Sequence, residues 1–447
     1  MRTILRARLA LTPLSIGLAS LALCAALVLP LQVNAGGPAS SQFKIMHADR
    51  TALGDDIAHY RYDVAMGPGK YDVVRIHRIV REKRPNKPVS TRDAVMLLPG
   101  NPNSFEGIFM APMVTGVSEL DHSIVIFLAK NDLDVWGMDY GWALVPPDEI
   151  DFEFMGQWGL AKDAAHTEAA LSFVRSMRVG TGQGKGKLHL LGLSYGASVA
   201  YALVGEETVQ PRGLRNVKGM IALDGGVKNG NEIEREASCA AALNDQAIME
   251  SNPPGSYASS LGLLFQQFGY LASEDPDAVS PFITFLTNWQ ASLFVGASTE
   301  LLTGGSWHLV GGYLDEYAIP SGLRFTDDQL WVGAMAASFP PYYPVRIDLD
   351  VDQLLCDAVD TPLDDHLAQI TVPILHVGAK GGIGPGVYAS TTFTASRDVT
   401  TITVQLLPDA DEAMDFGHVD TVLARDAETL VWRPILGWIM AHRENRP

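Results

Sequence analysis

The sequence predicts an α/β protein with a mostly parallel sheet covered by helices on both faces. Short apolar runs alternate with helical stretches, and the runs are apolar throughout, as in strands buried on both sides. The chain has 447 residues, 47% of them hydrophobic, which is enough for a large core. Its formal net charge of −18 repels nucleic acid and anionic membranes, so neither is an expected partner.

The first stretch stands apart from the rest. Arg2, Arg6 and Arg8 precede an apolar run from Ile16 to Leu31, and the run exits through Val33-Asn34-Ala35. A charged head, an apolar middle and a small-residue exit make a secretory signal peptide over residues 1–35, cleaved after Ala35; an uncleaved anchor is the alternative. Cys24 follows Leu23 rather than the small residue that precedes a lipidated cysteine, which argues against a lipid anchor. No later apolar run approaches spanning length, so the mature chain is expected outside the cytoplasm without stable membrane insertion. Cys239 and Cys356 then remain in an oxidising compartment, where one disulfide between them is permitted; two unpaired buried thiols are the alternative.

Asp56 to Ala65 and Tyr71 to Arg81, rich in β-branched and aromatic residues, read as an antiparallel pair around Gly67-Pro68-Gly69. Ala94 to Leu98 and Leu133 to Met138 follow as strands. The spacing from Leu160 to Met177 predicts a helix, with Leu171 and Val174 on one face. Leu188 to Leu191, Val217 to Leu223, Val372 to Val377 and Thr401 to Leu407 complete the strands, and an amphipathic helix carrying Leu423, Leu430, Val431, Ile435 and Trp438 ends the chain. Between Gly226 and Asp365 the rhythm breaks: aromatics abound (Phe265, Phe268, Trp289, Trp307, Tyr313, Trp331, Tyr342, Tyr343) and no clean strand run appears. Residues 226–365 are read as a mainly helical cap inserted after the sixth strand, between core segments 36–225 and 366–447.

The chemistry concentrates at Gly192-Leu193-Ser194-Tyr195-Gly196, entered by a strand and left by a helix of small residues. A serine on such a turn is exposed as a nucleophile, and the flanking glycines permit close packing. A serine hydroxyl needs a base, and His418, in Asp415-Phe416-Gly417-His418-Val419-Asp420 beyond the last strand, falls at the same sheet edge. His189 and His376 lie inside strand runs and read as core residues, and His308 belongs to the cap.

With these residues in place, the chain from Ala94 to its terminal helix, cap excepted, resembles the α/β-hydrolase superfamily, whose order is serine, acid, histidine. The resemblance implies an acyl-enzyme hydrolase with Ser194 as nucleophile, His418 as base, and an oxyanion hole from the backbone amides of Tyr195 and Asn101. The usual acid position, after Val372 to Val377, reads Gly378-Ala379-Lys380-Gly381-Gly382-Ile383 and holds no carboxylate. Some members place the acid one strand earlier, which selects Asp224; Asp398, Asp409, Asp411 and Asp415 are reserves, and Asp420 reads as a helix cap.

No cysteine or histidine spacing of a zinc site appears, and Gly381 to Gly386 lacks the lysine and hydroxyl residue of a phosphate loop, so no metal or cofactor is expected and the glycines read as a flexible turn. The cap aromatics suit a hydrophobic ester, lipid, lactone or polyester, although they serve equally as the cap's own core. A peptidase or amidase, or an inactive binding protein of the same fold, are the competing readings. Nothing in the sequence bears on oligomeric state.

Overall fold

The structure is a computed structural model that describes residues 43–251, 255–299 and 307–443; the predicted signal peptide lies outside them. Nine strands form the main sheet: β1 (Lys44–Gly54), β2 (Ile57–Ala65), β3 (Val73–Arg84), β4 (Asp93–Leu98), β5 (Leu133–Asp139), β6 (Leu188–Leu193), β7 (Val217–Leu223), β8 (Ile374–Ala379) and β9 (Val399–Val404). They lie in the order β1-β2-β3-β5-β4-β6-β7-β8-β9, with the short strand Lys87–Pro88 against β3. β1, β2, β3 and β5 pair antiparallel in succession, and from β5 to β9 every pairing is parallel.

Alternate residues of the central strands enter different cores, because successive side chains point to opposite faces. Val95, Leu97, Leu191, Ile221, Leu375 and Val377 join one buried cluster. Ala94, Met96, Leu98, Leu190, Met220 and Ala222 join the other. Helices α1 (Ile124–Lys130) and α9 (Arg433–Ala441) cover the first face with Ile124, Leu128, Ile435 and Ile439. Helices α2 (Leu160–Gly180) and α3 (Tyr195–Val209) cover the second with Leu171, Val174, Ala200 and Leu203.

The segment between β7 and β8, read from the sequence as an insert and so called below, carries α4 (Glu232–Ser251), α5 (Leu261–Glu274), α6 (Asn288–Ala297), α7 (Asp328–Ala337) and α8 (Val345–Cys356). Its residues enter both cores, Phe268 and Trp331 on one side, Tyr343 and Ile347 on the other. Cys239 of α4 and Cys356 of α8 form a disulfide, as the even count permitted. Among the described residues no helix is long and apolar enough to cross a membrane.

The structure departs from the sequence reading in several places. β1 was not expected, so the insert follows the seventh strand of the main sheet rather than the sixth; β1 is a largely exposed edge strand without an apolar run to reveal it. The insert contains two small ribbons, Gly312–Leu314 with Pro320–Leu323 and Ala258–Ser259 with Tyr343–Pro344, too short for a hydrophobic period. The last strand is Val399–Val404, starting two residues before the predicted Thr401. The terminal helix is broken: Asp420–Leu423 is a separate turn, and a π-turn over Glu428–Trp432 leads into α9, where Pro434 has no N–H to donate.

Candidate active site

Ser194 stands between β6 and α3 with φ 55° and ψ −124°, a conformation that costs a non-glycine residue about 1–3 kcal/mol and persists only where its surroundings impose it. Those surroundings are glycine contacts. A Cβ at Gly192 would fall 2.1 Å from the Gly196 oxygen, and one at Gly196 would fall 2.4 Å from the Leu98 oxygen. The sequence spacing G-x-S-x-G is thus a packing requirement. The Ser194 N–H donates to Leu223 O at 3.0 Å, which ties the turn to the end of β7.

Asp224 follows directly on β7, also at positive φ (44°), and is fully buried. Its Oδ1 accepts the N–H groups of Ala379 (2.7 Å) and Gly384 (2.8 Å), and its Oδ2 accepts that of Ile383 (3.1 Å). The glycine-rich stretch after β8 is therefore no free turn. It is a backbone cradle around the acid, and a Cβ at Gly382 or Gly384 would lie 2.2 or 2.3 Å from a carboxylate oxygen. Gly225 is equally constrained, since its Cβ would stand 2.3 Å from Ser194 O.

His418 completes the set. Its Nδ1 lies 2.6 Å from Asp224 Oδ2, and the residue is almost buried, with the Trp307 ring edge-on at 5.6 Å between centroids. The His418 loop is held by the insert: His418 N–H donates to His308 O (3.0 Å), Val419 N–H to Leu309 O (2.8 Å), and His308 N–H to Gly381 O (2.9 Å). His308 is buried and its Nε2 lies 2.6 Å from Asp415 O, so it braces this loop. Asp420 is not the helix cap the sequence suggested. It is fully buried, its Oδ2 accepts Gly311 N–H and Gly417 N–H (both 2.8 Å), and its Oδ1 lies 2.6 Å from Thr326 Oγ1. Burial pushes its carboxyl up to about 7.

The loop after β4 packs against the serine. A Cβ at Gly100 would lie 2.8 Å from Ser194 Cβ and 3.3 Å from its Oγ. Asn101 and Pro102 are joined by a cis bond, and Asn101 Nδ2 donates to Asp348 Oδ1 (2.8 Å), whose Oδ2 accepts the Tyr343 hydroxyl (2.7 Å). Burial pushes Asp348 up to about 7. Tyr195 is held through its hydroxyl, which donates to buried Asp163 together with Trp142 Nε1 and Trp158 Nε1. Among the described residues, neither the Tyr195 nor the Asn101 backbone N–H has a hydrogen-bond partner, and no hydrogen bond joins Ser194 Oγ to His418.

The other sequence candidates go elsewhere. Asp398 pairs with His442 (3.1 Å), Asp409 accepts from Gln405, Asp411 sits in the same turn as Asp409, and the Asp415 carboxylate accepts the N–H groups of Leu406 and Phe416. His189 and His376 are buried in β6 and β8, where desolvation pushes both imidazoles down, His376 to about 4. Of the insert's aromatics, Phe268, Trp331 and Tyr343 are buried among neighbours, while Trp307 faces His418. Sequence reasoning missed the cradle glycines, Asp348 and Asp163; the run of glycines was the available signal for the first.

No family model and no curated protein sequence matches the chain. Among solved structures it is similar to a protein of Sulfolobus solfataricus provisionally named a lipase, at 20% identity and TM-score 0.62, over 90% of this chain and 100% of that one. A soluble variant of monoglyceride lipase from Saccharomyces cerevisiae, bound to a substrate analogue, matches at 11% identity and TM-score 0.44 over 92% and 100%. The first likeness shows the fold: this chain has the α/β-hydrolase fold, as its motifs implied.

Proposed function

We propose that this chain is an exported serine hydrolase that cleaves a carboxylic ester, in the serine, acid, histidine order Ser194, Asp224, His418. The observation that carries the reading is the His418 Nδ1 to Asp224 Oδ2 contact of 2.6 Å, with Asp224 held by three further backbone donors. A carboxylate so fixed sets the imidazole tautomer: Nδ1 donates to Asp224, and the Nε2 lone pair is left to take a proton.

Ser194 Oγ attacks the ester carbonyl while His418 Nε2 accepts its proton. The oxyanion of the tetrahedral intermediate is received by the Tyr195 and Asn101 N–H groups, which have no other partner among the described residues, each contributing about 3 kcal/mol. His418 then protonates the leaving alcohol, an acyl-Ser194 forms, and water activated by His418 hydrolyses it. Ester rather than amide chemistry is taken from the lipase naming of the Sulfolobus solfataricus protein, and an apolar substrate face from Trp307 beside His418. Export is supported by the Arg2 to Ala35 signal pattern and the disulfide.

The test is covalent labelling with a fluorophosphonate probe, beside a Ser194→Ala control and hydrolysis of short- and long-chain p-nitrophenyl esters. Labelling and turnover that vanish in the control are the expected result. A folded protein that takes no label and turns over no ester would sink the reading.

A further inference from the structure

The antiparallel pairing of β2 and β3 brings together residues that the sequence keeps apart. His59 and His77, 18 positions from one another, lie diagonally on one face because His59 pairs with Ile79 and His77 with Arg61. Their rings stack at 5.2 Å between centroids, both are buried, and His59 Nε2 lies 2.9 Å from His77 Nδ1. Glu106, in the short helix Phe105–Phe109 after the Gly100 to Asn103 loop, brings its Oε1 to 3.7 Å from His77 Nδ1 and 4.0 Å from His59 Nε2. These three atoms form the sole such group of three metal-binding side chains among the described residues.

We propose that His59 Nε2, His77 Nδ1 and Glu106 Oε1 bind one divalent transition-metal ion, zinc by preference, at a site separate from Ser194. The triangle's own dimensions carry this. The point equidistant from its corners lies in the plane of the three atoms, about 2.1 Å from each, the length of a zinc bond, and tetrahedral coordination with a fourth ligand requires the Glu106 oxygen to draw in toward the two nitrogens. Two imidazoles and a carboxylate are a zinc ligand set, and the partly exposed Glu106 side leaves room for a water as fourth ligand.

The outer contacts agree. His77 Nε2 lies 3.0 Å from Asp139 Oδ2, the carboxylate to histidine arrangement that leaves Nδ1 unprotonated toward a metal. Asp139 is buried and fixed in turn by the Phe105 N–H on its Oδ1, while the His77 ring stacks on Phe105 at 4.4 Å. Binding requires His59 to carry its N–H on the ring nitrogen that does not face His77. Arg75 is paired with Asp63 and Arg61 with Asp49; Arg61 also donates to Glu106 Oε1 at 3.4 Å, using one of that oxygen's two lone pairs. Glu106 and Asp139 together balance the charge of a divalent ion. The ion would pin the β2–β3 hairpin to the helix that follows the Gly100 loop.

The test uses the whole mature chain, stripped with a chelator and titrated with zinc chloride against a chromophoric competitor, with bound metal counted by mass spectrometry. One zinc per chain is expected, binding at least about tenfold weaker in Glu106→Gln and lost in His59→Gln. The thermal midpoint should rise with zinc in the parent, rise less in Glu106→Gln at the same zinc concentration, and stay fixed in His59→Gln. Absence of stoichiometric binding, or binding undiminished in the variants, overturns the proposal. Should His59→Gln not fold, the partly exposed Glu106→Gln decides alone. None of these readouts involves ester turnover, so the result is independent of the Ser194 chemistry.

Discussion

Asp224 and Asp420 are both fully buried, and both touch the chain around His418, yet their surroundings differ in kind. Three partners of Asp224 are donors, the N–H groups of Ala379, Ile383 and Gly384, and the fourth is His418 Nδ1, which donates in the tautomer proposed above. Asp420 meets two N–H groups on Oδ2, but on Oδ1 it meets the Thr326 hydroxyl, which accepts as readily as it donates. One site fits an acceptor-only group; the other has a place for a proton, in line with a carboxyl pushed up to about 7. Burial alone therefore does not identify a triad acid. The donors around Asp224, the proposed acid, distinguish it from Asp420.

Replacing each aspartate by asparagine breaks this contrast most directly. In Asp224→Asn an NH2 group must face donors, so ester turnover should fall about 10⁴-fold while the fold persists, checked by steady-state rates and circular dichroism. Turnover within a few-fold of the parent would move the acid elsewhere. Gly382→Ala leaves the aspartate in place but puts a methyl group 2.2 Å from its Oδ2; a displacement of that size should cost about 10²-fold in kcat. An unchanged kcat would mean that the cradle yields without moving the acid.

At Asp420 the effect should appear in stability. Asp420→Ala orphans the Gly311 and Gly417 N–H groups and should cost about 2–3 kcal/mol in urea unfolding, whereas Asp420→Asn, with its oxygen on the two N–H groups and its NH2 on Thr326, should stay near the parent. Equal losses in the two variants would remove the distinction. A further effect is in pH. An aspartate raised from 3.8 to about 7 binds a proton more tightly folded than unfolded, so its contribution is full below about 4 and is lost as pH rises toward 7. The stability difference between Asp420→Asn and the parent should therefore move in favour of the variant over that window, read from unfolding midpoints at successive pH values.

What was legible in the sequence is what local chain geometry encodes. Ser194 was readable because a strand, a glycine-flanked turn and a helix are contiguous, and His418 because it follows the last strand. Asp224 was reachable through strand order, once the stretch after β8 proved to lack a carboxylate. The cradle was misread because backbone donors have no residue code: Gly378 to Gly384 carries only the permission for close approach, and what approaches comes from 155 positions away. Asp420 was misassigned for a similar reason, since its partners Gly311 and Thr326 belong to the insert. The His59, His77 and Glu106 group is set by strand register, which spacing along the chain does not display.

The seam between residues 308–311 and the histidine loop bears on how such a chain can diversify. His308, Leu309 and Gly311 commit main-chain groups to Gly381, His418, Val419 and the Asp420 carboxylate. Removing residues 226–365 as a cassette would strip the main-chain partners from His418, the proposed general base, so this segment is not a module to be exchanged between chains of this fold. The seam must be inherited together with the histidine it supports, while insertion, deletion or grafting is tolerated only in parts of the segment away from it.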